Sequence, residues 1–263
     1  MENQNNKNLI LELTDGVALL TINRPTVLNS LDSSVLDELL EAFTALDQND
    51  AVKVVVLTGN GEKAFVAGAD IAAMAGYNVQ QALGFARKGQ HLVNVIGQMA
   101  KPVIAAVNGF ALGGGLEMAL ACDFAYASEK AKLGFPEVTL GIIPGFGGTQ
   151  KLGRLLGRSR ANELIFTGKI LTAMEAREWG IVNAVLPAGE LIGKVLETAR
   201  KIAGNGLLGV AYAKDAIRSG LDMCEADGMK YESLQFAALF ATTDQKEGMN
   251  AFLEKRKPVF TRA

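Results

Sequence analysis

With 263 residues, 49% of them hydrophobic and 21% charged, the chain has material for one large core with at most a small appendage. A net charge of −2 leaves no electrostatic footprint for nucleic acid or an anionic membrane surface. The polar start MENQNNKN resembles neither a secretory nor a transit segment, and no apolar run of about 20 residues is free of Gly or polar breaks, so a cytoplasmic protein is expected.

In chain order, Leu9 to Leu13 and Val17 to Ile22 bracket Thr14-Asp15-Gly16 and read as a hairpin. Asn23-Arg24-Pro25 ends the second strand. Asp32 or Ser33 then caps a helix with Val35, Leu39, Phe43 and Leu46 on its apolar face. Lys53 to Thr58 is a continuous apolar strand, the pattern expected when both sheet faces are covered. Ala64 to Asp70 runs a strand into a glycine turn and a short helix, Ile71 to Ala75, and a long helix follows from Val79 to Met99. Val103 to Val107 is a further buried strand. It turns through Asn108-Gly109 and Gly113 to Gly115 into an apolar helix, Leu116 to Cys122.

Phe124 to Ala127 is a short strand, and Ala131 to Glu137 is an edge broken by Pro136, which leaves Glu137 at a rim. Leu140 to Thr149 is a third glycine-rich turn opening a helix through Leu156. It lacks the Gly-Lys-Ser/Thr of a phosphate loop and the GxGxxG spacing of a dinucleotide site. Strand–strand–helix repeated twice predicts an α/β fold of ββα turns rather than a plain alternating sheet. From Ser159 onward the spacing is helical: Arg160 to Phe166, Ala173 to Trp179, Leu191 to Gly204, Gly209 to Leu221, Ala226 to Phe240 and Gln245 to Glu254. The chain divides into a core at 1–195 and a C-terminal helical region at 196–263. The apolar faces of that region exceed what one helical hairpin buries and point to subunit contacts.

The chemistry falls to carboxylates. His91 is the single histidine and reads as a helix-face residue, Cys122 and Cys224 read as buried thiols, and no metal site is expected. Glu117 is the only charge between Lys101 and Asp123. An ionised carboxylate in such apolar sequence costs several kcal/mol unless paired, hydrogen-bonded or neutral. Glu137 is a second candidate, and paired carboxyls in unequal environments can divide acid and base roles. Taken alone, Glu117 also fits a snorkelling side chain and Glu137 a solvated turn. Two strand-to-glycine transitions, Ala67-Gly68-Ala69 and Gly113-Gly114-Gly115, can each present a backbone N–H to an oxyanion.

The segments INRPTVLNSL, KAFVAGADI, KPVIAAVNGFALGGGLEMALACD, FPEVTLGIIPGFGGTQKL, FTGKILTAMEAREWGIVN and EGMNAFLEKRKPVF resemble the enoyl-CoA hydratase (crotonase) family over nearly the whole chain. The resemblance implies a crotonase-like spiral of ββα units with a C-terminal helical region, assembled as a homotrimer or a homohexamer (dimer of trimers). It implies an acyl-CoA thioester substrate, coenzyme A being part of the substrate and no separate cofactor being needed. Members resembling short-chain enoyl-CoA hydratases carry glutamates at the positions of Glu117 and Glu137, which implies that these two are catalytic and hold one water. The same resemblance makes Ala69 and Gly114 the oxyanion hole, Gly145 a water-positioning amide, and Ala67, Gly68, Asp70 and Ile71 substrate contacts. Hydratases for branched or carboxylated acyl groups (methylglutaconyl-CoA-like) and enoyl-CoA isomerases share the fold and remain alternatives. Thr26-Val27 stands where many relatives carry Lys-Ala, so the resemblance does not carry over a cationic contact to the CoA phosphates there, and Ala72-Ala73 replaces a charged pair. Acyl length is expected to depend on walls around Met74 to Val79 and Leu116.

Overall fold

A computed structural model describes residues 8–261, so most of the polar start lies outside the described residues. The hairpin forms as its turn chemistry requires. β1 (Leu9–Thr14) pairs antiparallel with β2 (Val17–Ile22), and Asp15 and Gly16 both take positive φ, as a two-residue hairpin turn needs. α1 (Ser33–Gln48) starts at Asp32, whose carboxylate accepts the Val35 N–H at 3.0 Å, and it buries Val35, Leu36, Leu39, Phe43 and Leu46.

From β3 onward each pair of strands splits between two sheets. β3 (Val54–Gly59), β5 (Val103–Val107) and β7 (Phe124–Ser128) add in parallel beside β2, and β10 (Ala184–Leu186) completes the row β1-β2-β3-β5-β7-β10. Their companions β4 (Ala64–Val66), β6 (Phe110–Leu112) and β8 (Lys132–Gly134) build a second sheet with β9 (Ile170–Thr172), in the order β4-β6-β8-β9. α2 (Ile71–Met74) and α3 (Val79–Gln98) follow the first pair, α4 (Gly114–Ala121) the second and α5 (Gly148–Thr167) the third. One strand to each sheet and then a helix is the expected spiral of ββα units. Gly157, at φ 76°, breaks α5 between the two helices read separately at Leu156 and Arg160. α6 (Ala173–Trp179) opens on a capping box of Thr172 and Glu175.

The large sheet is buried on both faces. Leu20, Val55, Leu57, Val103 and Ala105 share one core with the inner faces of α1 and α3. Val17, Val54, Val56, Ile104 and Ala106 pack the other face against Leu191, Val195, Ala199 and Ala203 of α7 (Leu191–Ala203). That packing corrects the division expected at 195/196: α7 spans it and belongs to the core. The helices that leave the sheet are α8 (Leu207–Gly220), α9 (Glu225–Leu239) and α10 (Thr243–Leu253). Lys214 of α8 ties them back, its Nζ donating to the Lys101 carbonyl at 3.1 Å and to Asp123 Oδ2 at 2.9 Å. Both cysteines are free. Cys122 is buried, but Cys224 is exposed at the start of α9, a correction that follows from how little of that hairpin is covered.

Candidate active site

The site is built where α4 begins. Gly113, at φ 50° and ψ −121°, takes a backbone conformation closed to L side chains and turns β6 into α4 in one residue. Space is equally restrictive: a Cβ on Gly113 would stand 2.6 Å from Glu137 Oε1. Gly114 is the first helical residue, so its N–H has no intrahelical acceptor; Glu117 N–H makes a bond of this helix, to the Gly113 carbonyl at 3.0 Å. Gly115 lets α4 sit against β4, where a Cβ would fall 2.0 Å from the Val66 carbonyl oxygen.

Ala69 contributes a second free amide. It bridges in parallel to Leu31, whose N–H donates to the Gly68 carbonyl at 2.9 Å and whose carbonyl accepts the Asp70 N–H at 2.8 Å. Both bonds use the neighbours of Ala69, so its own N–H faces away from Leu31. Along the same strip the Ala67 N–H is occupied by the Leu28 carbonyl at 3.1 Å, and the Asp70 carboxylate caps α2 through the Ala73 N–H at 3.2 Å. Gly68 is buried and Ile71 is exposed. Leu116 lies wholly within the core, away from any wall facing solvent.

Glu117 is only 1% exposed, so it does not snorkel. Its Oε1 accepts the Phe146 N–H at 2.8 Å and the Gly148 N–H at 2.6 Å. Gly148 opens α5, so the third glycine-rich turn does hold an anion at a helix start, but the anion is the protein's own carboxylate. Burial raises the Glu117 pKa most, the Glu137 charge adds to it, and the two amides and Lys151 of α5 oppose it; the result is about 7. Glu137 sits in the short 3-10 turn Pro136–Leu140 after β8. It is half-buried rather than solvated, and among the described residues its buried Oε2 has no protein hydrogen-bond partner. Burial lifts its pKa to about 7 as well.

Gly145 anchors the same loop through its carbonyl, which accepts Gln90 Nε2 of α3 at 3.0 Å. The amides that reach Glu117 belong to Phe146 and Gly148, two residues that sequence reasoning missed. The signal was a glycine pair just before a helix, whose free N–H groups call for an anion. Among the described residues, no three His, Cys, Asp or Glu side chains gather to hold a metal, and no helix is long and apolar enough to cross a membrane. The arrangement therefore joins two carboxyls titrating near neutrality to two amides that have no partner among the described residues, the equipment for proton transfer beside a developing oxyanion.

The enoyl-CoA hydratase/isomerase family model matches residues 12–263. Crotonyl-CoA hydratase of Syntrophomonas wolfei is 47% identical over 254 residues, covering 97% of this chain and 98% of that one. Short-chain-enoyl-CoA hydratase of Clostridium acetobutylicum is 47% identical over 251 residues, covering 95% and 96%. Among solved structures, the enoyl-CoA hydratase of Bacillus anthracis superposes with a TM-score of 0.95 at 43% identity, covering 97% of this chain and all of that one. The spiral, the glutamate pair's setting and these likenesses agree: the chain belongs to the enoyl-CoA hydratase/isomerase family.

Proposed function

We propose that the protein adds water reversibly across a trans-2-enoyl-CoA, in syn fashion, to give a 3-hydroxyacyl-CoA. The observation that carries this reading is the pairing of Glu117 in α4 with Glu137 beside Gly113 at the start of that helix, both with pKa near 7 and the charge on Glu137 helping to raise Glu117. Attack of water on the β-carbon builds negative charge on the thioester oxygen. The N–H groups of Ala69 and Gly114 receive that oxygen, each contributing roughly 3 kcal/mol in a dry site. Glu117 as carboxylate takes a proton from the water, and Glu137 in its acid form gives one to the α-carbon. The buried, unpartnered Oε2 of Glu137 suits a group that faces a reactant rather than the protein. Gly145 N–H orients the water, and Gly68 and Ile71 line the thioester. Coenzyme A belongs to the substrate, and the reaction is placed in the cytoplasm, in fatty-acid β-oxidation or a related acyl-CoA sequence.

Exposed Ile217, Leu221, Leu234, Phe236, Phe252 and Leu253 on and beside α8 to α10 support a trimer or a dimer of trimers, which light scattering measures directly. The activity is tested on a panel of 2-enoyl-CoA and 3-enoyl-CoA thioesters. Hydration of the conjugated substrates is expected. A faster shift of the 3-enoyl double bond, without hydration, overturns the reading in favour of an isomerase.

A further inference from the structure

Two asparagines from separate loops meet at one carbonyl. Asn29 is fully buried; its Nδ2 donates to the Ala64 oxygen at 2.8 Å and the Asn60 oxygen at 3.1 Å, and its Oδ1 accepts the Arg24 N–H at 2.9 Å. Asn108, in the turn between β5 and β6, donates to the same Ala64 oxygen at 3.2 Å. Its Nδ2 also reaches the carbonyls of Gly59 at 2.8 Å and Gly61 at 2.7 Å. Bare backbone permits the meeting. A Cβ on Gly59 would stand 2.4 Å from the Ala64 oxygen and 2.7 Å from Asn29 Nδ2, and one on Gly109 would stand 2.2 Å from the Lys63 oxygen. Asn29 has φ 57°, which asparagine tolerates better than most residues. That tolerance alone does not call for two donor bonds from a buried side chain.

Each asparagine belongs to a segment that carries one of the two amides offered to the oxyanion. Beside Asn29, the Leu28 carbonyl takes the Ala67 N–H, and Leu31 bonds Gly68 and Asp70 on either side of Ala69. Residues 28–31 therefore splint the strip that presents the Ala69 amide. Beyond Asn108, β6 pairs with β4 through Phe110–Ala64 and Ala111–Val66, then runs through Gly113 to the Gly114 amide. Ala64 opens β4, which leads into the Ala67–Ala69 strip, so its carbonyl is where the two halves of the hole are referenced to each other. Small errors there are expensive, since a misplacement of about 1 Å at reacting groups costs roughly 10²-fold in rate. Resting on the enoyl-CoA reading, we propose that Asn29 and Asn108 are positioning residues which, through the Ala64 carbonyl, set the distance between the Ala69 and Gly114 amides and hence their fit to the thioester oxyanion.

The test uses Asn29→Gly, which keeps the positive φ accessible, Asn108→Ala and the double variant. It reads kcat and KM on crotonyl-CoA, the Kd of butyryl-CoA, and the infrared carbonyl band of bound butyryl-CoA, which amide donors draw to lower frequency. Each single variant is expected to lose roughly 10–100-fold in kcat and part of the band shift, with the Kd within ~3-fold, because the donors are displaced rather than removed. The two bonds act in series, so the double variant should be no more than ~3-fold slower than the slower single variant. Asn108 is only half-buried, and Asn108→Ala with Asn108→Ser carries the band measurement if Asn29→Gly does not fold. A full band shift in the variants, whatever their turnover, overturns the proposal, as do losses that multiply in the double variant or a wild type with no band shift. Absence of hydration in the wild type, with its band shift present and reduced in the variants, upholds the asparagine link and refutes the reaction.

Discussion

Glu117→Gln separates the energetic cost of the buried carboxyl from its chemical use. The Glu117 pKa is raised from 4.5 to about 7, chiefly by burial. The folded state therefore keeps a proton that the unfolded chain releases, and stability falls as pH rises through the window from 4.5 to 7. At about 1.4 kcal/mol per pKa unit, the ionised Glu117 costs the fold roughly 3 kcal/mol above that window. Glutamine keeps an oxygen to accept the Phe146 and Gly148 amides but cannot ionise, so it escapes the penalty. At ~2–4 °C per kcal/mol for a chain of this size, the variant should unfold roughly 6–12 °C above the wild type at about pH 8.5. Near pH 5 the two should unfold within ~2 °C of each other, because both then carry a neutral side chain. Turnover should meanwhile fall by about 10²-fold or more. Thermal unfolding of both proteins at the two pH values checks the reasoning. A stability difference that does not change with pH refutes it.

Other outcomes follow from the same geometry. With both carboxyls near pH 7 and one proton needed between them, kcat/KM should trace a bell centred close to pH 7, its two limbs belonging to the coupled pair; a profile flat from about pH 5 to 9 contradicts this. Removing both glutamates as amides should cost far less than the two single losses combined, because the pair shares one water; additive losses place the groups in separate steps. Gly113→Ala should abolish turnover, since the new Cβ meets Glu137 Oε1 at 2.6 Å in a conformation that L side chains do not adopt. Retention of more than about a tenth of wild-type kcat, with the fold intact by circular dichroism, contradicts that placement.

Much of the fold is legible where local periodicity and burial coincide. α1 shows its cap at Asp32 and its apolar face at Val35, Leu39 and Phe43, and β3 reads as doubly covered because alternate residues face two different cores. Three short strands were not legible. Phe110–Leu112, Ile170–Thr172 and Ala184–Leu186 have only three residues each and exist because a neighbouring edge pairs with them. α7 straddles the expected boundary for a related reason: its apolar spacing does not say which surface it covers. In the site, Glu117 stands out by charge contrast alone. Glu137 looks like a solvated turn until β8 and the Gly113 turn enclose it, and Gly89 looks like a weak spot in a helix until Phe146 fills its notch. Contacts of that kind are decided by tertiary packing, and no window of sequence contains them.

On the proposed mechanism the two glutamates hydrate a conjugated thioester between them. The most direct measurement follows the loss of crotonyl-CoA absorbance on adding the wild-type protein and, separately, Glu137→Gln. Rapid loss with the wild type and a rate at least ~10²-fold lower with the variant, crotonyl-CoA binding being kept, is the predicted result. A variant as fast as the wild type, or no loss with either protein while crotonyl-CoA binds, contradicts it.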